Sequence, residues 1–143
     1  MAAETKDRPA GVRATAGVVH KRSPVSVAET VLTLSAAIRA AGAIVLFVVD
    51  HSGEAERVGS KLRDTKLLGF GNPSEGTPIM EASPVAALDL PLKILVWADD
   101  DDAVWMSCAD PDWLAERHGL DDEFAAALST PVQVITQVAS MVR

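Results

Sequence analysis

Ala43-Ile44-Val45-Leu46-Phe47-Val48-Val49 is the longest unbroken apolar run in the chain, and its reading decides the fold. It is far short of the ~20 residues needed to cross a bilayer. Gly42 and Asp50 bound it, and β-branched residues dominate it. It suits a strand covered on both faces, at the centre of a sheet, better than a helix too short to stand alone.

Upstream, Val27, Val31, Leu34, Ile38 and Ala41 recur at helical spacing, with Ala28 and Leu32 widening the stripe. Ser26 and Glu29 form a capping box, and Gly42 supplies a left-handed stop. Before that helix, Val12 to Lys21 alternates as a strand that Pro24 ends. Downstream, Glu54 to Leu62 reads as a short helix and Thr65 to Phe70 as a strand ending at Gly71-Asn72-Pro73.

Thr77-Pro78 and Ser83-Pro84 each read as an N-cap followed by a first-turn proline. Leu92 to Ala98 and Ala103 to Cys108 read as a hairpin across Asp99 to Asp102. Asp110-Pro111 opens a helix that stops at Gly119, and Asp121 starts a last helical region that Pro131 kinks or restarts. The order strand, helix, four strands, helices implies an α+β domain: one mostly antiparallel sheet with its helices on one face.

A chain of 143 residues suits one domain, expected over 12–143 behind a flexible tail at 1–11. Mixed charge and no hydrophobic segment in that tail argue against a secretory signal, so a cytoplasmic location is expected. A lone cysteine, Cys108, fits a reducing compartment. The net charge of −7 opposes nucleic acid, and three Phe, three Trp and no Tyr offer few stacking platforms.

Among the chemically capable residues, His51 follows the apolar run beside Asp50, which could orient it. Neighbours on a strand point to opposite faces, so a dyad there needs a turn, and a turn-capping histidine is the plainer reading. Gly69-Phe70-Gly71-Asn72-Pro73 lacks the spacings of phosphate loops and reads as a rigid strand exit. Arg57, Lys61, Arg63 and Lys66 gather positive charge that Glu54 and Glu56 can pair. Asp99 to Asp102 fits no calcium-loop pattern and reads as a solvated turn. His20, His51 and His118 join no partner at zinc-ligand spacing, so no metal and no cofactor are predicted. Cys108 reads as a buried filler, and Trp97 and Trp105 as a pair across the hairpin.

Read together, Asp50-His51, Lys66-Leu67-Leu68-Gly69-Phe70-Gly71-Asn72-Pro73, Gly76-Thr77-Pro78, Leu88-Asp89-Leu90-Pro91-Leu92-Lys93 and Val96-Trp97 resemble domain-of-unknown-function family 302. The resemblance runs from about Val12 to Leu120. It implies the β-α-β(4)-α order of the TATA-binding-protein-like fold, commonly as a homodimer and without an agreed activity. Family members often read Ser-Tyr-Asn-Asp where this chain has Ser107-Cys108-Ala109-Asp110. If that tyrosine and asparagine contact a ligand elsewhere in the family, this member has lost both.

The leading expectation is a dimeric small-molecule-binding module, with candidate ligand contacts at Asp50, His51, Phe70, Asn72, Thr77 and Lys93. The alternative is a structural or protein-interaction domain acting through homodimerisation. An enzyme using His51 as general base comes third, since no nucleophile or oxyanion donor can be named beside it.

Overall fold

The computed structural model describes residues 8–141. A five-stranded sheet, antiparallel throughout, has the order β1-β5-β4-β3-β2. Its strands are β1 (Val18–Arg22), β2 (Ile44–Asp50), β3 (Thr65–Gly71), β4 (Leu92–Ala98) and β5 (Val104–Ala109). Helix α1 (Val27–Ala40) joins the first two strands, and α2 (His51–Arg57) and α3 (Pro73–Ala82) flank β3. A 3-10 turn (Pro84–Asp89) leads into β4, and α4 (Pro111–His118), α5 (Ala125–Leu128) and α6 (Thr130–Ala139) follow β5. The α+β order of strand, helix, four strands and helices therefore stands, with short helices set between the strands.

The core lies between one sheet face and the two amphipathic helices α1 and α6. Leu34 and Ile38 of α1 and Val134, Ile135 and Val138 of α6 close over Leu68, Phe70, Ile94, Val96 and Met106. All are almost completely removed from solvent. Helix α1 begins as its sequence dictates: Ser26 Oγ accepts from the Glu29 amide at 3.2 Å and donates to the Glu29 carboxylate. It ends at Ala40 with Ala41 as its cap, beyond which Gly42 takes φ +90°.

The apolar run is not the centre of the sheet. Among the described residues β2 pairs with β3 alone and forms one edge, its residues alternating between exposed and half-buried. The reason is topological. Strands β2 to β5 form a meander whose first member stays at the edge unless the preceding strand adds beside it. Here β1 joins β5 at the opposite side. Ile44, Leu46 and Val48 are left 58%, 58% and 46% exposed.

Other boundaries also move. The first strand starts at Val18 rather than Val12, because Gly17 turns the chain at φ +76° and its carbonyl accepts from the Asp110 amide. The helix expected over 54–62 runs from His51 to Arg57 instead, since Asp50 caps it by accepting from the Gly53 amide at 2.9 Å. Asn72-Pro73, not Thr77-Pro78, opens α3, and Pro78 sits inside that helix. Helix α6 stops at Ala139, short of Met141, and Val142 lies outside the described residues. So do residues 1–7 of the expected tail; of the remainder, Pro9 is buried and the Ala10 amide donates to Asp99.

Asp99 is the largest departure from the solvated turn expected at the hairpin. It is 3% exposed. Its carboxylate accepts from the amides of Ala10, Asp101 and Ala103 and from the Trp105 indole, at 2.8–2.9 Å. Burial pushes its pKa up, but these hydrogen bonds outweigh burial and hold the carboxyl below its ordinary value.

Cys108 is a filler of the core, 5% exposed. Burial, and secondarily the negative charge of Asp110, push its thiol up to about 12. We expect native Cys108 to resist iodoacetamide at pH 8 and to react at the rate of a free thiol in denaturant, followed by mass spectrometry.

Candidate functional site

Where β2 begins and β3 ends, the sheet leaves an apolar cleft of about 380 Å³. Its floor is Phe70, Gly71 and Leu92, its sheet-edge wall Ile44 and Leu46, and its opposite wall Thr77, Ile79 and Met80 of α3. Ala127 and Thr130 reach it from the C-terminal helices. Ile44 and Leu46 are more than half exposed, so the cleft communicates with solvent.

Local sequence builds this geometry. Asn72 Oδ1 accepts from the Ser74 amide at 3.1 Å and from Ser74 Oγ at 2.7 Å, turning the chain sharply out of β3 into α3. Pro73 occupies the first helical turn, where its missing N–H costs nothing. The 3-10 turn then brings Ala87, Leu90 and Pro91 back beneath α3.

Of the sequence candidates, Phe70, Asn72 and Thr77 line this one cleft. Asp50 and His51 do not. They lie at the other end of β2, about 20 Å along a seven-residue strand at ~3.3 Å per residue. Hydrogen bonds from the Ser52 hydroxyl and the Gly53 amide lower the Asp50 pKa, so this carboxylate serves as a helix cap. Lys93 pairs with Gly69, next to the Phe70–Leu92 pair in the register, and therefore projects from the opposite sheet face to Phe70. Its Nζ donates to the Pro91 carbonyl at 3.0 Å.

Two polar constellations escaped sequence reading because their members are distant in the chain. On the sheet face opposite the core, Ser107 Oγ lies 2.6 Å from His20 Nδ1 and accepts from the Trp97 indole at 2.9 Å. Burial lowers the His20 pKa. Trp97 and Trp105 stand directly opposite each other, as expected, and both meet the His20 ring edge-on. Elsewhere, Asp89 joins the 3-10 turn to α4 through Arg117, at 2.9 Å, and His118, at 2.5 Å. Among the described residues no group of three or more His, Cys, Asp or Glu is placed to hold a metal ion.

An antiparallel sheet backed by two helices, with a lateral cleft at one corner, defines a small α+β domain of the open-faced kind. The chain belongs to the family described as "Domain of unknown function DUF302", whose model matches residues 19–138. Its fold is similar to that in the crystal structure of an uncharacterized conserved DUF302 protein from Bacillus stearothermophilus. The TM-score is 0.74 at 15% identity, covering 90% of this chain and 100% of that one.

The chain is also 38% identical over 127 residues to the protein named fluoride-specific ion channel FluC 1 of Brucella suis. That match covers 87% of this chain and 50% of that protein. The protein named fluoride-specific ion channel FluC 2 of Brucella melitensis matches at the same identity, with 47% of its length covered. The chain thus spans about half the length of these relatives. Among the described residues no helix is long and apolar enough to cross a membrane.

Proposed function

We propose that the domain binds a small, largely apolar molecule in the cleft between β2, β3 and α3. One observation carries this reading: an apolar recess of about 380 Å³ beside a capped, rigid strand exit. A cavity of ~150 Å³ takes benzene, so this one has room for roughly fifteen non-hydrogen atoms. Size and lining both match the ordinary ligand pocket, mainly hydrophobic with a few polar groups at its border. Phe70, Asn72 and Thr77 belong to this site; Asp50, His51 and Lys93 do not.

Native mass spectrometry of freshly purified protein tests the proposal. The expected result is a substoichiometric mass addition of small-molecule size that disappears in Gly76→Phe. Gly76 lines the cleft, and an added Cβ there meets no atom within 4 Å, so the variant sets a bulky side chain at the cleft wall without a clash at its Cβ. No addition, together with no thermal shift across a metabolite library, would count against the proposal.

The name of the Brucella relatives does not carry over to this half of them. A channel needs membrane-spanning helices or a closed barrel, whereas this sheet is open with β1 and β2 as its two edges. We read the shared half as an accessory domain to whatever pore those proteins contain.

A second reading, homodimerisation, is favoured by the β2 edge. Ile44, Leu46 and Val48 are exposed on a strand with no charge before Asp50, the kind of edge that invites pairing. Sedimentation at micromolar concentration should give a dimer that Val48→Lys converts to monomer; a wild-type monomer removes this reading.

A further inference from the structure

We propose that the cleft takes aliphatic molecules with an uncharged or cationic head and turns away anionic ones, an inference that rests on the cleft being a binding site. Three observations converge on it. First, among the described residues no Lys, Arg or His lines the cleft, and its one charged side chain is the carboxylate of Glu75 in the first turn of α3.

Second, the start of α3 offers an anion nothing. Helix N-termini attract anions through unbonded amides, but the amides here are already used. Pro73 has no N–H, and the Ser74 amide donates to Asn72 Oδ1. The amides of Glu75 and Gly76 both donate to the Asn72 carbonyl at 2.9 Å. Asn72 Nδ2 in turn donates to Glu75 Oε1 at 3.4 Å, which ties the cap to the carboxylate. An anionic head entering here would lose water, gain no free backbone amide from the helix start and no cationic partner, and face a like charge.

Third, the cleft's remaining polar side chains include the hydroxyls of Thr77 and Thr130, which can serve an alcohol, an amide or an ammonium but bring no positive charge to balance a carboxylate. The body of the cleft carries one aromatic ring, Phe70, among aliphatic and alanine side chains, which favours a flexible aliphatic chain over a stacked planar one. The chain's net charge of −7 adds a long-range bias of the same sign.

Three probes of one length separate head from body: octan-1-ol, octylamine and octanoate, titrated calorimetrically against the full chain at pH 7.5 and low salt. The alcohol and amine are expected to bind, with the amine tighter by about two- to fivefold, the range of an exposed ion pair. Octanoate should be at least about tenfold weaker than the amine. Raising the salt to 0.5 M, or replacing Glu75→Gln, should bring amine and alcohol close to equal affinity. Octanoate binding as tightly as octylamine would overturn the head-group inference while leaving the cleft a binding site. Failure of all three probes, or equal binding by Gly76→Phe with its circular dichroism unchanged, would overturn the binding site itself.

Discussion

Asp99→Ala is expected to lose about 3–5 kcal/mol of stability, more than any truncation of an exposed side chain in this protein. The substitution removes one acceptor from four donors. They belong to Ala10, Asp101, Ala103 and the buried Trp105 indole. A charged acceptor contributes more than a neutral one, and each orphaned donor near the interior carries its own desolvation cost. The loss should be visible in urea unfolding as a lower midpoint at nearly constant slope.

Its pH dependence has a definite sign. The folded-state pKa of Asp99 lies below its unfolded value, so the unfolded chain binds more protons in acid. The carboxylate's contribution is present in full above the unfolded value near 4 and is lost as pH falls through the lower folded value. Wild type and Asp99→Asn should therefore differ most at neutral pH and converge toward pH 3. A difference that grows in acid contradicts the assignment.

Ile38→Ala is expected to cost about 2–5 kcal/mol and to lower Tm by roughly 7–17 °C, while Leu32→Ala on the same helix changes stability by no more than about 0.5 kcal/mol. Both remove aliphatic carbon from α1, so helix propensity alone cannot separate them. Burial does: Ile38 is 0% exposed within the core, whereas Leu32 is 72% exposed. Thermal unfolding of the two variants side by side checks which stripe of α1 faces the sheet.

The Val27, Val31, Leu34 and Ile38 part of that stripe was readable from spacing, because helical periodicity is local, whereas Ala28, Leu32 and Ala41, expected to belong to it, lie exposed. Equally readable were the β4–β5 hairpin, the Asp110-Pro111 start of α4 and its stop at Gly119, where φ is +63°. Strand order is a different kind of information. The run Ala43 to Val49 looks equally apolar whether it lies at the middle of the sheet or the edge. Its place is decided by β1 choosing β5, a pairing between residues nearly ninety apart in sequence.

The same distinction separates Asp99 from its neighbours. Four consecutive aspartates are indistinguishable as letters, and only the fold brings the Ala10 amide and the Trp105 indole onto the first of them. Phe70, Asn72 and Thr77 come together at the cleft because one local turn collects them. Asp50 and His51 do not line it because the antiparallel pairing of β2 puts their end of the strand beside Lys66, remote from Asn72. Ala127 and Thr130, brought in from the far end of the chain, left no local signal.

The central claim, a binding cleft at the corner of β2, β3 and α3, is tested most directly by amide chemical shifts in the full chain titrated with octan-1-ol. The account predicts saturable shifts concentrated at Ile44–Leu46, Phe70–Met80 and Leu90–Leu92, absent in Gly76→Phe. Shifts that cluster instead around Asp50 and His51, or that rise linearly without saturation, would contradict it.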